Sequence, residues 1–230
     1  MRGGGHYHHI FNRGVDKRQI FRRNEIITSL YHFKKRWLSG STSPIGAVEP
    51  LNKPLIDILA YCLNPNHYHL LLRQNIESGI SEFMKRIGAG YTYYFNNKRK
   101  RSGSLFQGKY KLKPIKSTEE LLKLSVYVNC NAEIHGINKS SNWIWSSYLD
   151  YIGMRKGTLC NKKDIYEELN PSSQLSAPST PAGALGALSQ PWLSSQYKRL
   201  CKLWIEDSKR NAILFRGLYF FLYRISLWKT

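Results

Sequence analysis

The stretch Asn66-His67-Tyr68-His69-Leu70-Leu71-Leu72 sets two imidazoles two residues apart. In an extended strand, residues two apart share a face. His67 and His69 therefore project together, while Tyr68, Leu70 and Leu72 turn to the other side, into a core. Two imidazoles so placed are a ready pair of metal ligands, and nitrogen donors by themselves suit zinc. Two ligands hold a metal poorly, so a third nitrogen or oxygen must come from another element. The spacing fits two ordinary polar histidines on an exposed face equally well. His6-Tyr7-His8 repeats the pattern, but it follows three glycines at a chain start that is expected to fray, and no site is expected there.

A nucleophile and a third ligand are sought on a helix. Ser117-Thr118-Glu119-Glu120 has the form of a capping box, so a helix starts there; it runs to about His135 and Gly136 stops it. Leu121, Leu122, Leu124, Val126 and Val128 mark its apolar stripe. Tyr127 and Asn131 lie beside each other off that stripe, one turn apart. A phenolic oxygen is a nucleophile when a metal or base assists it, and the Asn131 amide oxygen can reach the same metal. A half-buried boundary tyrosine beside a solvated asparagine fits the same positions. Tyr93 is the rival tyrosine, pointing outward from its own helix, whereas Tyr91 and Tyr94 belong to that helix's core stripe. His135 reads as a helix cap, where a cationic imidazole favours the dipole.

Charge narrows the partner. The chain of 230 residues carries 35 Lys and Arg against 15 Asp and Glu, a formal charge of +20. Such an excess opposes compaction unless a polyanion uses it, with nucleic acid the first reading and an acidic membrane the second. One cluster is Lys98, Arg99, Lys100, Arg101, Lys109, Lys111, Lys113 and Lys116, with no acidic residue between them; the other is Arg13, Lys17, Arg18, Arg22 and Arg23. Phe11, Phe21, Phe106 and Tyr110 are interleaved. Charge for phosphates and rings for unstacked bases are what a binder of single-stranded or hairpin nucleic acid needs.

The elements that must position these residues follow from periodicity. His8 to Gly14 reads as a strand ending in a glycine turn, Asn24 to about Trp37 as a helix, and Gly40 to Pro54 as a loop. Ile56–Leu63 and Tyr68–Arg73 form a hairpin about Asn64-Pro65-Asn66. Gly79–Asn97 is a helix and Leu105–Ile115 a strand, with Lys109, Lys111 and Lys113 on one face. Trp143–Gly153 packs back on the core. The order predicts an α+β fold, a ferredoxin-like antiparallel sheet with helices packed on it. A nuclease-like domain is expected over 1–165, a Ser/Pro/Ala/Gly-rich linker over 166–196, and a basic, apolar tail over 197–230, mostly helical or disordered. Truncation at about Glu168 is expected to spare activity. Hydrophobic residues, at 42%, suffice for a core. Cys62, Cys130, Cys160 and Cys201 show no Cys-x-x-Cys spacing, the N-terminus lacks a signal-peptide pattern, and a reducing cytosol fits. Ala212–Trp228 is too short and too basic to span a membrane, although an amphipathic surface helix fits it.

Together these motifs resemble a known family. His67-Tyr68-His69 after Asn64-Pro65-Asn66 resembles the His-hydrophobic-His signature of single-tyrosine transposases, in particular the REP-associated tyrosine transposases and their insertion-sequence relatives. Ile10-Phe11-Asn12-Arg13-Gly14 with Ile20-Phe21-Arg22, Gly103 to Lys111, and Trp145-Ser146-Ser147-Tyr148 resemble three further stretches of that family. The resemblance spans about Tyr7 to Leu159. It implies that Tyr127 is the nucleophile and that His67, His69 and Asn131 hold magnesium or manganese. Relatives often carry Asn-Pro where this chain has Asn131-Ala132, and alanine leaves the helix uninterrupted. The activity implied is nicking and strand transfer on single-stranded or hairpin DNA through a 5′-phosphotyrosine, by a monomer or a homodimer. A catalytically inactive DNA- or RNA-binding module of the same fold, or a replication-initiator nickase, are the alternatives.

Overall fold

The computed structural model describes residues 6–21, 54–169 and 189–214. The expected helix from Asn24, the loop before Pro54, Arg22, Arg23, most of the linker and the end of the tail lie outside the described residues. Four strands, β1 (His6–Arg13), β2 (Ile56–Asn64), β3 (His67–Gln74) and β4 (Lys111–Pro114), form one sheet in the order β2-β3-β1-β4. Every pairing is antiparallel. The helices are α1 (Gly79–Lys98), α2 (Thr118–Ile134), α3 (Tyr148–Tyr151), α4 (Lys163–Leu169) and α5 (Gln190–Leu214). The α+β class, with an antiparallel sheet covered by helices, is as expected.

Alternation along the strands gives the sheet two buried faces. Ile10, Tyr68, Leu70 and Leu72 pack with Ile80, Met84, Tyr91 and Phe95 of α1. Leu71, Ala60 and Cys62 pack on the other face with Leu121, Leu124, Val128 and Ala132 of α2. In β2 a bulge between Ile58 and Ala60 leaves Leu59 as an extra residue. An extra residue reverses which side chains point where. Ile58 therefore faces α1, whereas Ala60 and Cys62 face α2, as does Asn64.

Helix α2 is capped as its sequence dictates. The Ser117 side chain accepts from the Glu120 amide at 3.1 Å, and the Glu120 carboxylate accepts from the Lys116 amide at 2.9 Å. Its second half is buried nearly all round, from Val126 to Ala132 apart from half-buried Tyr127. The cause is α5. That helix begins at Gln190, inside the stretch read as linker, and inserts Tyr197 and Cys201, both fully buried, beside α2. The Tyr197 hydroxyl donates to Ser125 at 3.1 Å and accepts from Asn129 Nδ2 at 2.7 Å. Asn129 in turn accepts from Ser147, in the Trp145-Ser146-Ser147-Tyr148 motif. That motif pairs with the edge of β2 through Leu63 N–Trp145 O (2.9 Å) and Ser147 N–Tyr61 O (3.0 Å). Arg155 clamps it by donating to Asp150, Ser146 O and Ile144 O.

Two expectations need correction. Strand β4 is shorter than Leu105–Ile115 because Gly108, at φ +68, turns the chain, so Lys109 lies outside the strand. The N-terminal end of β1 does not fray: His6 pairs opposite Gln74.

Because α5 supplies core, a chain ending at Glu168 is expected to lose its cooperative thermal melt, against the expectation from sequence. Tyr197→Phe removes one donor and strands Asn129, and is expected to cost about 1–3 kcal/mol. A thermal melt of the truncated chain and chemical denaturation of Tyr197→Phe, each beside the wild type, check the two.

Candidate functional site

Strand β3 delivers His67 and His69 to the face covered by α2, as alternation requires. Their ring centroids are 5.3 Å apart. Register adds a residue the sequence reading passed over. His9 of β1 stands opposite Leu71, and Phe11 opposite His69. His9 is therefore on the same face, fully buried, with its Nε2 2.9 Å from His69 Nδ1. The signal was His8-His9 inside a strand, but only the pairing with β3 shows which of the two turns inward. His6 and His8 belong to the opposite face and take no part.

Helix α2 lays Tyr127 and Asn131 over these rings. The Tyr127 ring meets His69 edge-on at 5.6 Å, His9 at 6.1 Å and His135 at 6.4 Å. His135 is thus more than a cap. Its backbone N–H does close the helix on Asn131 O, but its ring also stands 6.2 Å from His67. The spacing 127, 131, 135 is one helical stripe and was legible in the sequence.

Asn131 is fully buried, which excludes the solvated reading. Its Oδ1 accepts from Asn64 Nδ2 at 2.6 Å, and the same Nδ2 lies 2.8 Å from His67 Nε2. Asn131 Nδ2 has no hydrogen-bond partner. The Asn64 amide thus sits where acceptor atoms of His67 and Asn131 converge. Asn64, read from sequence as a turn residue, is placed there by the β2 bulge.

Burial dominates the electrostatics. It lowers the His67 pKa to about 4, with His135 adding to the effect. It lowers His69 well below the ordinary imidazole value, with His9 and His67 contributing. His9 falls to about 3, again through burial first and then Lys113. At neutral pH all three are neutral, and each keeps one ring lone pair. Two neutral imidazoles and a carboxamide oxygen fit a divalent cation that accepts nitrogen ligands. Among the described residues no group of three or more His, Cys, Asp or Glu is placed to hold a metal.

The basic residues fall into three places. Lys111 and Lys113 stand opposite Phe11 and His9 in β4, at the rim of the histidine face. Lys113 is 3.4 Å from the Glu120 carboxylate. The loop after Arg101 runs along the end of β1, with Val15 N–Leu105 O at 3.1 Å and Gln107 N–Arg13 O at 2.8 Å. It brings Arg13, Lys17 and Arg18 to the same end as Lys98, Arg99, Lys100 and Arg101. Several of these are already engaged: Arg13 with Gln107, Arg18 with Asp16, and Arg101 with Asn96 and Ser104. Lys109 lies over the Tyr110 ring and, with Tyr68, Phe106, Met84 and Lys85, lines a cavity of about 350 Å³ on the α1 side of the sheet. Tyr93, 72% exposed, and Tyr94, 36% exposed rather than core, sit on α1 across the sheet from the histidines.

Residues 48–131, a little over a third of the chain, match the family described as IS200-like transposases. The resemblance read from the motifs is borne out over that stretch, which contains His67, His69, Tyr127 and Asn131. A solved structure of a REP-associated tyrosine transposase bound to a REP hairpin is 17% identical, covers 65% of this chain and 80% of its own, and has a TM-score of 0.40. A transposase candidate from Deinococcus radiodurans R1 is 13% identical, covers 54% of this chain and 93% of its own, and has a TM-score of 0.36. No curated protein matches. No helix among the described residues is long and apolar enough to cross a membrane.

The depressed histidines fix a pH dependence. Their folded pKa values lie below the ordinary 6.5, so the unfolded chain takes up protons first as pH falls. The stability they contribute is full above about pH 6.5 and is lost on acidification towards the folded values near 4 and 3. At pH 5.5 each buried histidine is expected to cost about 1.4 kcal/mol relative to pH 7.5. Denaturant midpoints at pH 7.5, 6.5 and 5.5, in the metal-free protein, test this; a flat profile refutes it.

Proposed function

We propose that this chain is a transposase that cuts and rejoins single-stranded DNA, using Tyr127 as nucleophile. The observation that carries the reading is the placement of half-buried Tyr127 edge-on to buried His69, itself beside half-buried His67, one helical turn before a buried asparagine. The match of residues 48–131 to IS200-like transposases supports it independently.

In this reading the scissile phosphate lies between the Tyr127 hydroxyl and the His67–His69 pair. Tyr127 attacks phosphorus in line. The bond to the departing 3′ oxygen breaks, leaving a free 3′-hydroxyl and a 5′-phosphate joined to the tyrosine. A second 3′-hydroxyl reverses the step on another strand, so the phosphodiester energy is conserved and no nucleotide cofactor is required. His67, His69 and Asn131 would hold a divalent ion, magnesium or manganese, which when bound polarises a phosphate oxygen. His135, beside both Tyr127 and His67, is suited to receive the phenolic proton. Lys111 and Lys113 approach the backbone from the open edge of the sheet, and Arg13, Lys17, Arg18, Lys98 to Arg101 and Lys109 hold flanking DNA. Arg22 and Arg23, outside the described residues, are assigned to DNA binding on the sequence cluster alone. The solved structure of a REP-associated tyrosine transposase bound to a REP hairpin makes a hairpin-bearing strand the first substrate to try.

Two outcomes are expected. Incubated with labelled hairpin-bearing single strands and Mn²⁺, the wild type forms an adduct that survives denaturing electrophoresis, and Tyr127→Phe forms none. An adduct that persists in the variant removes Tyr127 from the role; binding with no adduct across a broad hairpin library favours a module that only binds. For Lys111→Glu with Lys113→Glu, affinity is expected to drop and the slope of log K against log salt to shrink by about 1–2. An unchanged slope places the DNA elsewhere.

A further inference from the structure

His9 belongs to none of the roles above, yet it is fully buried against a proposed ligand. The 2.9 Å separation between His9 Nε2 and His69 Nδ1 is a hydrogen bond between two neutral rings. A neutral imidazole has one N–H and one lone pair, so one proton lies between these two nitrogens, on one ring or the other. If His9 donates, His69 must carry its own proton on Nε2, and that nitrogen is closed to a cation. If His9 accepts, the proton sits on His69 Nδ1, and Nε2 presents a lone pair. Nδ1 of His69 is taken up by the contact in either case, so a cation can only use Nε2.

The second nitrogen of His9 sharpens the choice. His9 Nδ1 is buried with no hydrogen-bond partner. Accepting through Nε2 puts the His9 proton on this Nδ1, where it is an orphaned donor. Donating through Nε2 leaves only an orphaned lone pair there, which buried sites tolerate more often. The arrangement that opens His69 to a cation is therefore the one the protein alone disfavours, and ligation must offset the difference.

We propose that His9 is a positioning residue: its Nε2 accepts the Nδ1–H of His69 and so presents His69 Nε2 to a divalent cation shared with His67 and Asn131. This rests on the reading of His67, His69 and Asn131 as a cation site. A ligating histidine whose other nitrogen is held by a hydrogen bond is fixed in tautomer and orientation, and loss of such a partner weakens metal binding about 10–100-fold. Phe11, whose ring is 5.1 Å from His9, and Tyr127 keep water from taking over the bond.

The test compares Mn²⁺ affinity of the full-length wild type, His9→Gln and His9→Leu, read by the relaxation of solvent protons. Glutamine keeps an acceptor oxygen; leucine fills the space without one. The expected result is affinity within a few-fold of wild type for His9→Gln and a loss of about 10–100-fold for His9→Leu, with both variants melting cooperatively. Imidazole nitrogen spectra with Zn²⁺ as a diamagnetic probe are expected to show His69 protonated at Nδ1. Wild-type affinity in His9→Leu, equal losses in both variants, no Mn²⁺ binding by the wild type, or a His69 proton on Nε2 in the metal-bound form would each overturn the proposal. None of these readouts uses DNA, so they stand apart from the adduct assay. Adduct formation with unaltered Mn²⁺ affinity in His9→Leu sinks the role of His9 alone, whereas absence of adduct with the expected affinity series sinks the strand-transfer reading alone.

Discussion

Helix α2 is where the rest of the molecule converges, because its contacts with the sheet and with α5 bury polar side chains that only one another can satisfy. Asn131 finds Asn64, and Asn129 finds Tyr197 and Ser147. Each unpaired partner would cost about 1–3 kcal/mol in such a setting. A slip of the helix by one residue would strand them together, so the polar pairs fix the register that the surrounding leucines and valines only make compact. Tyr127, Asn131 and His135 then fall over His69 and His67 as a consequence of helical pitch.

Burial gives this contact its chemical character. The rings of His9, His67 and His69 are kept neutral by desolvation, inside a protein whose formal charge is +20. The positive side chains stay at the rim, on β4 and around the end of β1, where water still solvates them. A neutral, lone-pair-rich interior edged by cations separates two tasks. The edge attracts a polyanion over a long range, and the interior offers ligands and hydrogen bonds at short range. Protonation of the buried rings would merge the two, which is why desolvation matters to the site as well as to stability.

Helix α5 shows how composition misleads. The run before it is rich in serine, proline and alanine and reads as a linker ahead of an appendage. Yet Tyr197 and Cys201 complete the core on the far side of α2. Without α5 the second half of α2 would have one buried face, as its stripe of Leu121, Leu124 and Val128 suggests. With it, Cys130 and Asn129 are enclosed too. A weak amphipathic pattern on a helix sandwiched between two layers is expected, since both sides must be covered.

Local rules were enough to read much of this protein. Alternation put His67 and His69 on one face, the capping box started α2, and the pitch paired Tyr127 with Asn131, because each depends on bonds within a few residues. Sequence also settled the α+β class, through the order of its periodic segments. Three features were decided by tertiary structure alone. The pairing of β1 with β3 chose His9 over His8, the β2 bulge turned Asn64 towards Asn131, and the packing of α5 enclosed Asn129. Each depends on contacts between segments about 60 or more residues apart, and no local pattern encodes the register at which such segments meet, since that register is set by which burial and hydrogen bonds the whole chain can satisfy at once.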